Sequence, residues 1–421
     1  MRAALEWALR GFGAAGLTNP HVEPVAIPRS WTEGNTQIEV LTPSRFALNS
    51  AATALSPSIS EPLQAEVVLT GKGNARAMPD LSGKVALVSL DEVSSFEGLG
   101  ESQRDALVAM RAAAKSGAEA VLFVSNRPNQ VLYRHLHSLT GDLDPIPTAV
   151  VARDEGLRVL RLLEAGERVQ VRVHLPNRIG PEFETANVLA EIEGSELPGE
   201  IVLVGAHLDS WDMGTGCLDN AVNAALVMHV ARSLQASGVR PARTLRFVLF
   251  GGEELGLHGA RAYAARHAGQ MDDHVATFIH DMGAGPLVGY STGGRSDLLP
   301  TLDRLLAMAS PDRHLRNTAE GYYISDNVAF LLRGIPSLFA IQDTGDYVVS
   351  YHSVADTLDK VRVGDVADTA ATAAALVLAV ADMEGLIGPR LDSREVLAWL
   401  RREGLVRHFR FLGVWEAWWP K

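Results

Sequence analysis

Short apolar runs alternate with amphipathic stretches along much of this chain. The apolar runs have the length of buried strands, and the strongest lie at 85–90, 120–124, 148–151, 201–206, 244–250, 275–279 and 335–341. Helical spacing of apolar residues predicts helices up to about residue 15 and at 105–116, 154–165 and 363–383. This alternation indicates an α/β fold, with a mixed, mostly parallel sheet flanked by helices.

The pattern also divides the chain into four predicted regions. Residues 61–178 form a βαβ-like unit that carries no cluster of metal-ligand residues. We therefore expect it to be an α/β domain inserted between the N-terminal part of a catalytic domain, 1–60, and its main part, 179–385. The remaining region, 386–421, is a helical extension rich in tryptophan, and clustered aromatic side chains of this kind usually pack in a core or an interface.

Composition narrows the class of protein. With 421 residues and 47% hydrophobic content, the chain can build a large core over about two to three domains. A net charge of -12 argues against nucleic acid or an anionic membrane surface as a partner. No run is expected to span a membrane, no signal peptide follows Met1, and the single cysteine excludes an intrachain disulfide.

Polar residues that suit a metal follow four of the predicted strands. His207 ends one strand, the pair Glu253 and Glu254 follows the next, Asp281 follows a third, and His352 lies in the loop after the last. In an open α/β sheet, ligands gather beyond the carboxyl ends of the strands, so these side chains are expected to share one site. Neighbouring carboxylates such as the glutamate pair favour a bound cation or a division of tasks between them.

Two further aspartates complete the predicted site. Asp219 lies in a glycine-bearing loop, and Asp209 is placed to accept the proton on the second ring nitrogen of His207 and to fix its tautomer. His207, Asp219, Glu254, Asp281 and His352 together are too many ligands for one tetrahedral catalytic zinc with an open position. Two metal ions fit better, with Asp219 as the bridge, and nitrogen and oxygen ligands suit zinc, with cobalt or manganese as substitutes.

These motifs resemble those of the co-catalytic-zinc aminopeptidases, and they are most similar to the plasma glutamate carboxypeptidase-like branch. The similarity runs over roughly 185–361, with specific motifs at 205–212, 214–220, 253–254 and 351–353. The resemblance implies a zinc exopeptidase fold, a short peptide as substrate and a protease-associated-type inserted domain. It also keeps a homodimer open and suggests an extracytoplasmic location if the chain start is shortened.

The resemblance assigns a role to each matching residue. It implies His207 and Asp281 on one zinc, Glu254 and His352 on the other, and Asp219 bridging the two. Two catalytic groups follow from it: Glu253 is the general base that takes a proton from the metal-bridging water, and Tyr351 hydrogen-bonds the developing oxyanion. The expected function is a zinc-dependent aminopeptidase, dipeptidase or carboxypeptidase.

Three alternatives stay open beside this function. A glutaminyl-cyclase-like acyl transferase would use the same fold, and a non-catalytic binding relative would keep the fold without the chemistry. The third is a serine hydrolase, because Ser291 lies in a Gly-x-Ser-x-Gly sequence followed by Asp343 and His352. That alternative needs a serine on a turn that runs directly into a helix, whereas Gly294 and Arg295 intervene between the end of the motif and the helix expected at 296.

Overall fold

The computed structural model describes residues 1–71, 78–134 and 136–419. Its α-helices are α1 (Arg2–Ala14), α2 (Phe96–Lys115), α3 (Arg153–Glu164), α4 (Val222–Ser237), α5 (His258–Arg266), α6 (Leu299–Ala309), α7 (Asn327–Leu331), α8 (Tyr347–Ser350), α9 (Val363–Asp382), α10 (Ser393–Arg402), α11 (Leu405–Leu412) and α12 (Trp415–Trp418). Its strands are β1 (Thr18–Ile27), β2 (Trp31–Thr32), β3 (Gln37–Thr42), β4 (Phe46–Leu48), β5 (Ser50–Ala52), β6 (Ile59–Leu69), β7 (Lys84–Ser89), β8 (Ala120–Val124), β9 (Thr148–Val151), β10 (Gln170–Leu175), β11 (Arg178–Ile179), β12 (Phe183–Ile192), β13 (Leu197–His207), β14 (Arg243–Phe250), β15 (His274–Ile279), β16 (Leu287–Ser291) and β17 (Ser337–Gln342).

The sheet that carries the candidate site has the strand order β1-β12-β14-β13-β15-β17-β16. Its central strands β14, β13, β15 and β17 are parallel, whereas the pairings at both edges are antiparallel. Helices α1, α4, α6 and α9 pack on one face, and α5 and α7 pack on the other. The predicted α/β fold with a mixed, helix-flanked sheet is confirmed, with parallel pairing limited to its centre.

A second sheet has the order β4-β3-β10-β6-β7-β8-β9-β5. It includes β3, β4 and β5, so it recruits strands from before residue 61, the predicted start of the inserted domain. The sequence did not show this because strand partners 100 or so residues apart leave no local signal. The division of the chain into a catalytic domain and a protease-associated-like domain stays a prediction. Strands β3, β4 and β5 of the second sheet lie before residue 61, where the inserted domain was predicted to start.

Helix α2 is longer than its apolar spacing predicts. The predicted start was residue 105, but the helix begins at Phe96, where the Ser95 side chain accepts a hydrogen bond from the Gly98 amide and caps it. Gly98 and Gly100 weaken the helical pattern in this first part. The additional turns bring Gly100, Gln103 and Arg104 towards the glutamate pair of the other layer.

Helix α9 is long and apolar enough to cross a membrane by length and composition, contrary to the expectation from the sequence. Its residues Ala373, Leu376 and Val377 are fully buried in the same core as the sheet and α4. A helix in the core of a globular domain has the same composition, so this single helix is weak evidence for a membrane span.

Candidate metal centre

The carboxyl ends of the four central strands place the predicted ligands at one edge of the sheet. His207 is the last residue of β13, and Asp281 comes two residues after β15. The glutamate pair follows β14, and His352 follows the short helix α8 that comes after β17. Because these four strands are parallel, the turns that leave them open on the same side.

Two groups of three side chains form there and share Asp219. In the first, the His207 Nε2 atom lies 3.1 Å from Asp281 Oδ1 and 3.3 Å from Asp219 Oδ1. In the second, the His352 Nε2 atom lies 3.0 Å from Glu254 Oε2 and 3.4 Å from Asp219 Oδ2. Within each group the candidate ligand atoms all lie within 4.8 Å of one another. The two oxygens of Asp219 therefore face different groups, as a bridging carboxylate requires.

The turn before the glutamate pair depends on glycine. Gly252 has a φ of 83°, which is in the left-handed region, and a Cβ atom there would lie 2.6 Å from Ile27 Cδ1. At Gly251 a Cβ atom would lie 2.4 Å from the Ala186 carbonyl oxygen. Side chains are thus excluded at both positions, and the chain turns sharply enough to direct Glu253 and Glu254 into the site.

Asp209 stabilises this turn in a way that differs from the sequence prediction. Its Oδ1 atom accepts hydrogen bonds from the amides of Gly252 at 2.8 Å and Glu253 at 3.1 Å, and its Oδ2 atom accepts one from the Glu254 amide at 3.2 Å. The predicted partner, His207 Nδ1, lies 3.8 Å from the carboxylate but 2.9 Å from the Asp209 backbone carbonyl. The carbonyl therefore takes the tautomer-fixing position, because the carboxylate is already used by three amides.

Asp356 has a similar positioning role for Asp219, and the sequence analysis missed it. Its carboxylate accepts hydrogen bonds from the amides of Leu218 at 2.6 Å and Asp219 at 3.1 Å. The peptide bond between Asp219 and Asn220 is cis, and the Asn220 side chain donates to the His280 carbonyl at 2.9 Å. No sequence pattern distinguishes Asp356 from a surface acid, so only the structure identifies it.

The loop that carries His352 is held by the second sheet's layer. The Arg134 amide donates to the His352 carbonyl at 2.7 Å, and Tyr133 pairs with Ser353 in an isolated bridge. The rings of Tyr351 and His352 stack with centroids 3.6 Å apart, and the Trp211 ring lies 5.8 Å from the His352 ring. The part of the chain outside the site-bearing sheet thus helps to fix a candidate ligand and the candidate oxyanion donor.

The site concentrates negative charge in a buried place. Burial raises the pKa of Glu253 well above its ordinary value, and the Asp281 and Glu254 carboxylates add to this rise against the opposing effect of His207. Burial also raises the pKa of Glu254, and Asp219 is the charge that adds most. For His207, burial alone would lower the imidazole pKa, but Asp281 and Glu253 raise it well above its usual range. Such crowding of carboxylates favours a bound cation.

The donor atoms fit zinc. Ligands about 2.0–2.1 Å from a tetrahedral zinc ion lie about 3.3 Å from one another, and the separations between imidazole nitrogen and carboxylate oxygen in the two groups are 3.0–3.4 Å. Asp219 Oδ2 and Glu254 Oε1 are buried and have no hydrogen-bond partner among the described residues. A cation would satisfy both oxygens, because buried acceptors rarely remain without a partner.

Ser291 does not have the setting of a hydrolase nucleophile. It is fully buried at the end of the edge strand β16, and its hydroxyl donates to the Glu320 carbonyl. The chain passes through Gly293 and Gly294, both with positive φ, before a short 3-10 turn at Ser296–Leu298 leads into α6. A nucleophile elbow instead turns directly into its helix with the serine exposed.

Comparisons with known proteins agree with this geometry. The model of peptidase family M28 matches residues 187–377. Carboxypeptidase Q of Bos taurus is 26% identical over 394 residues, which cover 92% of this chain and 82% of that protein. A peptidase M28 precursor from Shewanella amazonensis has the same fold with a TM-score of 0.84 and 26% identity, covering 93% of this chain and 90% of that one.

A zinc aminopeptidase from Bacillus subtilis also shares the fold, with a TM-score of 0.72 at 19% identity and coverage of 91% of this chain and 89% of that one. The family resemblance read from the motifs is confirmed, and so is the prediction of an enzyme. The roles assigned to single residues stay predictions. The chain is similar to peptidase family M28 over residues 187–377, and this similarity together with the similarity to carboxypeptidase Q identifies it as a hydrolase.

Proposed function

We propose that this protein is a zinc-dependent exopeptidase that cleaves short peptides next to a free terminus. The observation that carries the proposal is the pair of three-residue groups joined by the two oxygens of Asp219. The match of residues 187–377 to the model of peptidase family M28 and the similarity to carboxypeptidase Q support a peptide substrate and exopeptidase activity. His207 and Asp281 would hold one zinc ion, Glu254 and His352 the other, and Asp219 would join them.

Glu253 and Tyr351 are not among the proposed zinc ligands, and each has a separate proposed role in the reaction. Zinc, when bound, supplies a Lewis acid that lowers the pKa of water and polarises the scissile carbonyl. Glu253 is the proposed general base: it accepts a proton from the attacking water and returns it to the leaving amine. Burial is the main cause that raises the pKa of Glu253 above its ordinary value, and a raised pKa makes this carboxylate a better acceptor for a proton from water.

Tyr351 is the proposed donor to the developing oxyanion. It lines the same cavity as Glu253 and stacks on His352, so its ring is held beside the metal groups. Burial raises the pKa of its hydroxyl well above the ordinary value, followed by the charge of Asp219. The hydroxyl therefore keeps its proton and can donate a hydrogen bond as charge builds on the carbonyl oxygen.

Metal removal tests the proposal. A panel of dipeptides and aminoacyl anilides would be assayed before and after exhaustive chelation, and we expect hydrolysis to disappear and to return with zinc. Metal analysis should give close to two zinc ions per chain. Cobalt and manganese would be tested as substitutes for zinc after chelation. Full activity after chelation would contradict the proposal, and a firm value of one zinc with every ligand intact would favour the glutaminyl-cyclase-like alternative.

A further inference from the structure

A cavity of about 140 Å³ adjoins the candidate metal centre. Glu253, Glu254, Tyr351 and His352 line it. Many of the other lining residues come from parts of the chain outside the matched region 187–377, namely α2, residues 136–139 and the C-terminal helices α11 and α12. Segments outside the matched region therefore help to enclose the cavity beside the candidate metal centre.

The walls away from the metal groups are mostly apolar. Leu107 of α2, Leu257 and Trp418 are each almost completely buried, and further apolar lining comes from Leu136, Leu139, Tyr323, Ile324 and Leu412. A cavity of about 150 Å³ with aliphatic and aromatic walls can hold a benzene molecule. The cavity beside Glu253 therefore has the size and chemistry for one apolar side chain.

The C-terminal helices contact both layers of the structure. The Arg111 guanidinium of α2 donates to the Phe411 carbonyl at 3.0 Å and lies over the Phe411 ring at 5.4 Å. Arg261 of α5 donates to the Ala417 carbonyl at 2.9 Å. Trp418 belongs to the same buried cluster as Leu257, three residues after the glutamate pair. The C-terminal helices thereby pack against the start of α5, the helix that follows the glutamate pair.

We propose that this cavity is the specificity pocket, which receives one aliphatic or aromatic side chain of the substrate, with α2 and the C-terminal helices as its outer wall. The inference rests on the proposed peptidase function and adds the substrate class: short peptides with an apolar residue beside the cleaved bond. The C-terminal extension, whose aromatic side chains were expected to pack in a core or an interface, thus also sets substrate preference.

A peptide panel with paired variants tests the pocket. Dipeptides with glycine, alanine, leucine, phenylalanine or glutamate at each position in turn would be compared by kcat/KM with the zinc-loaded full chain. At one of the two positions, the unaltered protein should prefer leucine or phenylalanine over glycine by at least about 10-fold, because one methylene in an apolar pocket changes kcat/KM by about 10–200-fold.

Leu412→Phe narrows the pocket and Leu412→Ala widens it, so the two variants should shift the preference in opposite directions. We expect the ratio of kcat/KM for phenylalanine peptides over alanine peptides to fall at least 10-fold in Leu412→Phe. The same ratio should rise in Leu412→Ala, because the wider pocket favours the bulkier side chain. Leu386→Phe is the matched control, because Leu386 is 50% exposed and lies outside the cavity lining. Its preference should equal that of the unaltered protein.

The outcomes separate this inference from the proposed function. Zinc-loaded protein that cleaves no peptide in the panel would contradict the proposed function. Efficient cleavage with the same side-chain preference in both Leu412 variants would contradict the proposed specificity pocket and would leave the proposed function intact. A preference for glutamate would also overturn it, because Arg104 and His408, which also line the cavity, would then be the groups that select the substrate.

Discussion

The carboxylate of Asp209 offers the sharpest test of what stabilises the turn at Gly251 and Gly252, directly before the glutamate pair. The substitution Asp209→Asn keeps the shape of the side chain and one acceptor oxygen. That oxygen can still accept the amides of Gly252 and Glu253, which both bond to Oδ1. The new amide group replaces Oδ2 and faces the Glu254 amide, so a donor meets a donor where the hydrogen bond measured 3.2 Å.

The size of the effect follows from these three bonds. A hydrogen bond to a charged group contributes about 1.5–3 kcal/mol, and a neutral acceptor roughly halves the strength of the two bonds that remain. The Asp209 side chain is only 12% exposed, so water replaces the lost partner poorly. We therefore expect the free energy of unfolding to fall by about 2–4 kcal/mol.

Urea unfolding in the presence of a chelator measures this change without a contribution from zinc binding. The matched control is Asp212→Asn in the same loop, because the Asp212 side chain is 71% exposed and pairs with Arg134 at 3.0 Å. The Arg134 guanidinium is buried but also pairs with Glu33 at 2.9 Å, so loss of the charge on the exposed Asp212 carboxylate should change stability by only about 0–1 kcal/mol. Equal stability of the two variants would refute the reasoning. A zinc affinity reduced by about 10–100-fold at unchanged stability would instead indicate that the Asp209 carboxylate orients His207, as the sequence predicted.

The remaining predictions concern the chemistry. Glu253→Gln should retain zinc and lower kcat by about 10²–10⁴-fold, whereas Glu254→Gln should lose zinc; equal metal content in the two purified variants would show that the division of tasks is wrong. Tyr351→Phe should lower kcat by about 10²–10³-fold with little change in KM, because it removes a bond made only in the transition state. Ser291→Ala should stay within a few-fold of the unaltered protein, and inactivation by a fluorophosphonate would revive the serine alternative.

The sequence predicted the centre of the fold more accurately than its edges. The strand that ends at His207 and the strand before the glutamate pair are continuous apolar runs, as buried parallel strands are, and both were located within a few residues. The edge strand β16 was instead weighed as part of a serine motif, because short edge strands give a weak pattern. The second sheet begins before residue 61, the predicted start of the inserted domain, and the sequence did not show this because the pairing of β5 with β9 joins residues about 100 positions apart.

What the sequence alone determined is the set of candidate metal-ligand side chains, because strand ends and donor chemistry are both local properties. His207, Asp219, Glu254, Asp281 and His352 were all expected at one edge of the sheet, and the structure brings them together there. Only the tertiary structure decided what surrounds them. Backbone amides compete for the carboxylate of a residue such as Asp209, and helices from distant parts of the chain close the cavity beside the site. Both depend on packing between segments whose sequences carry no mark of their partners.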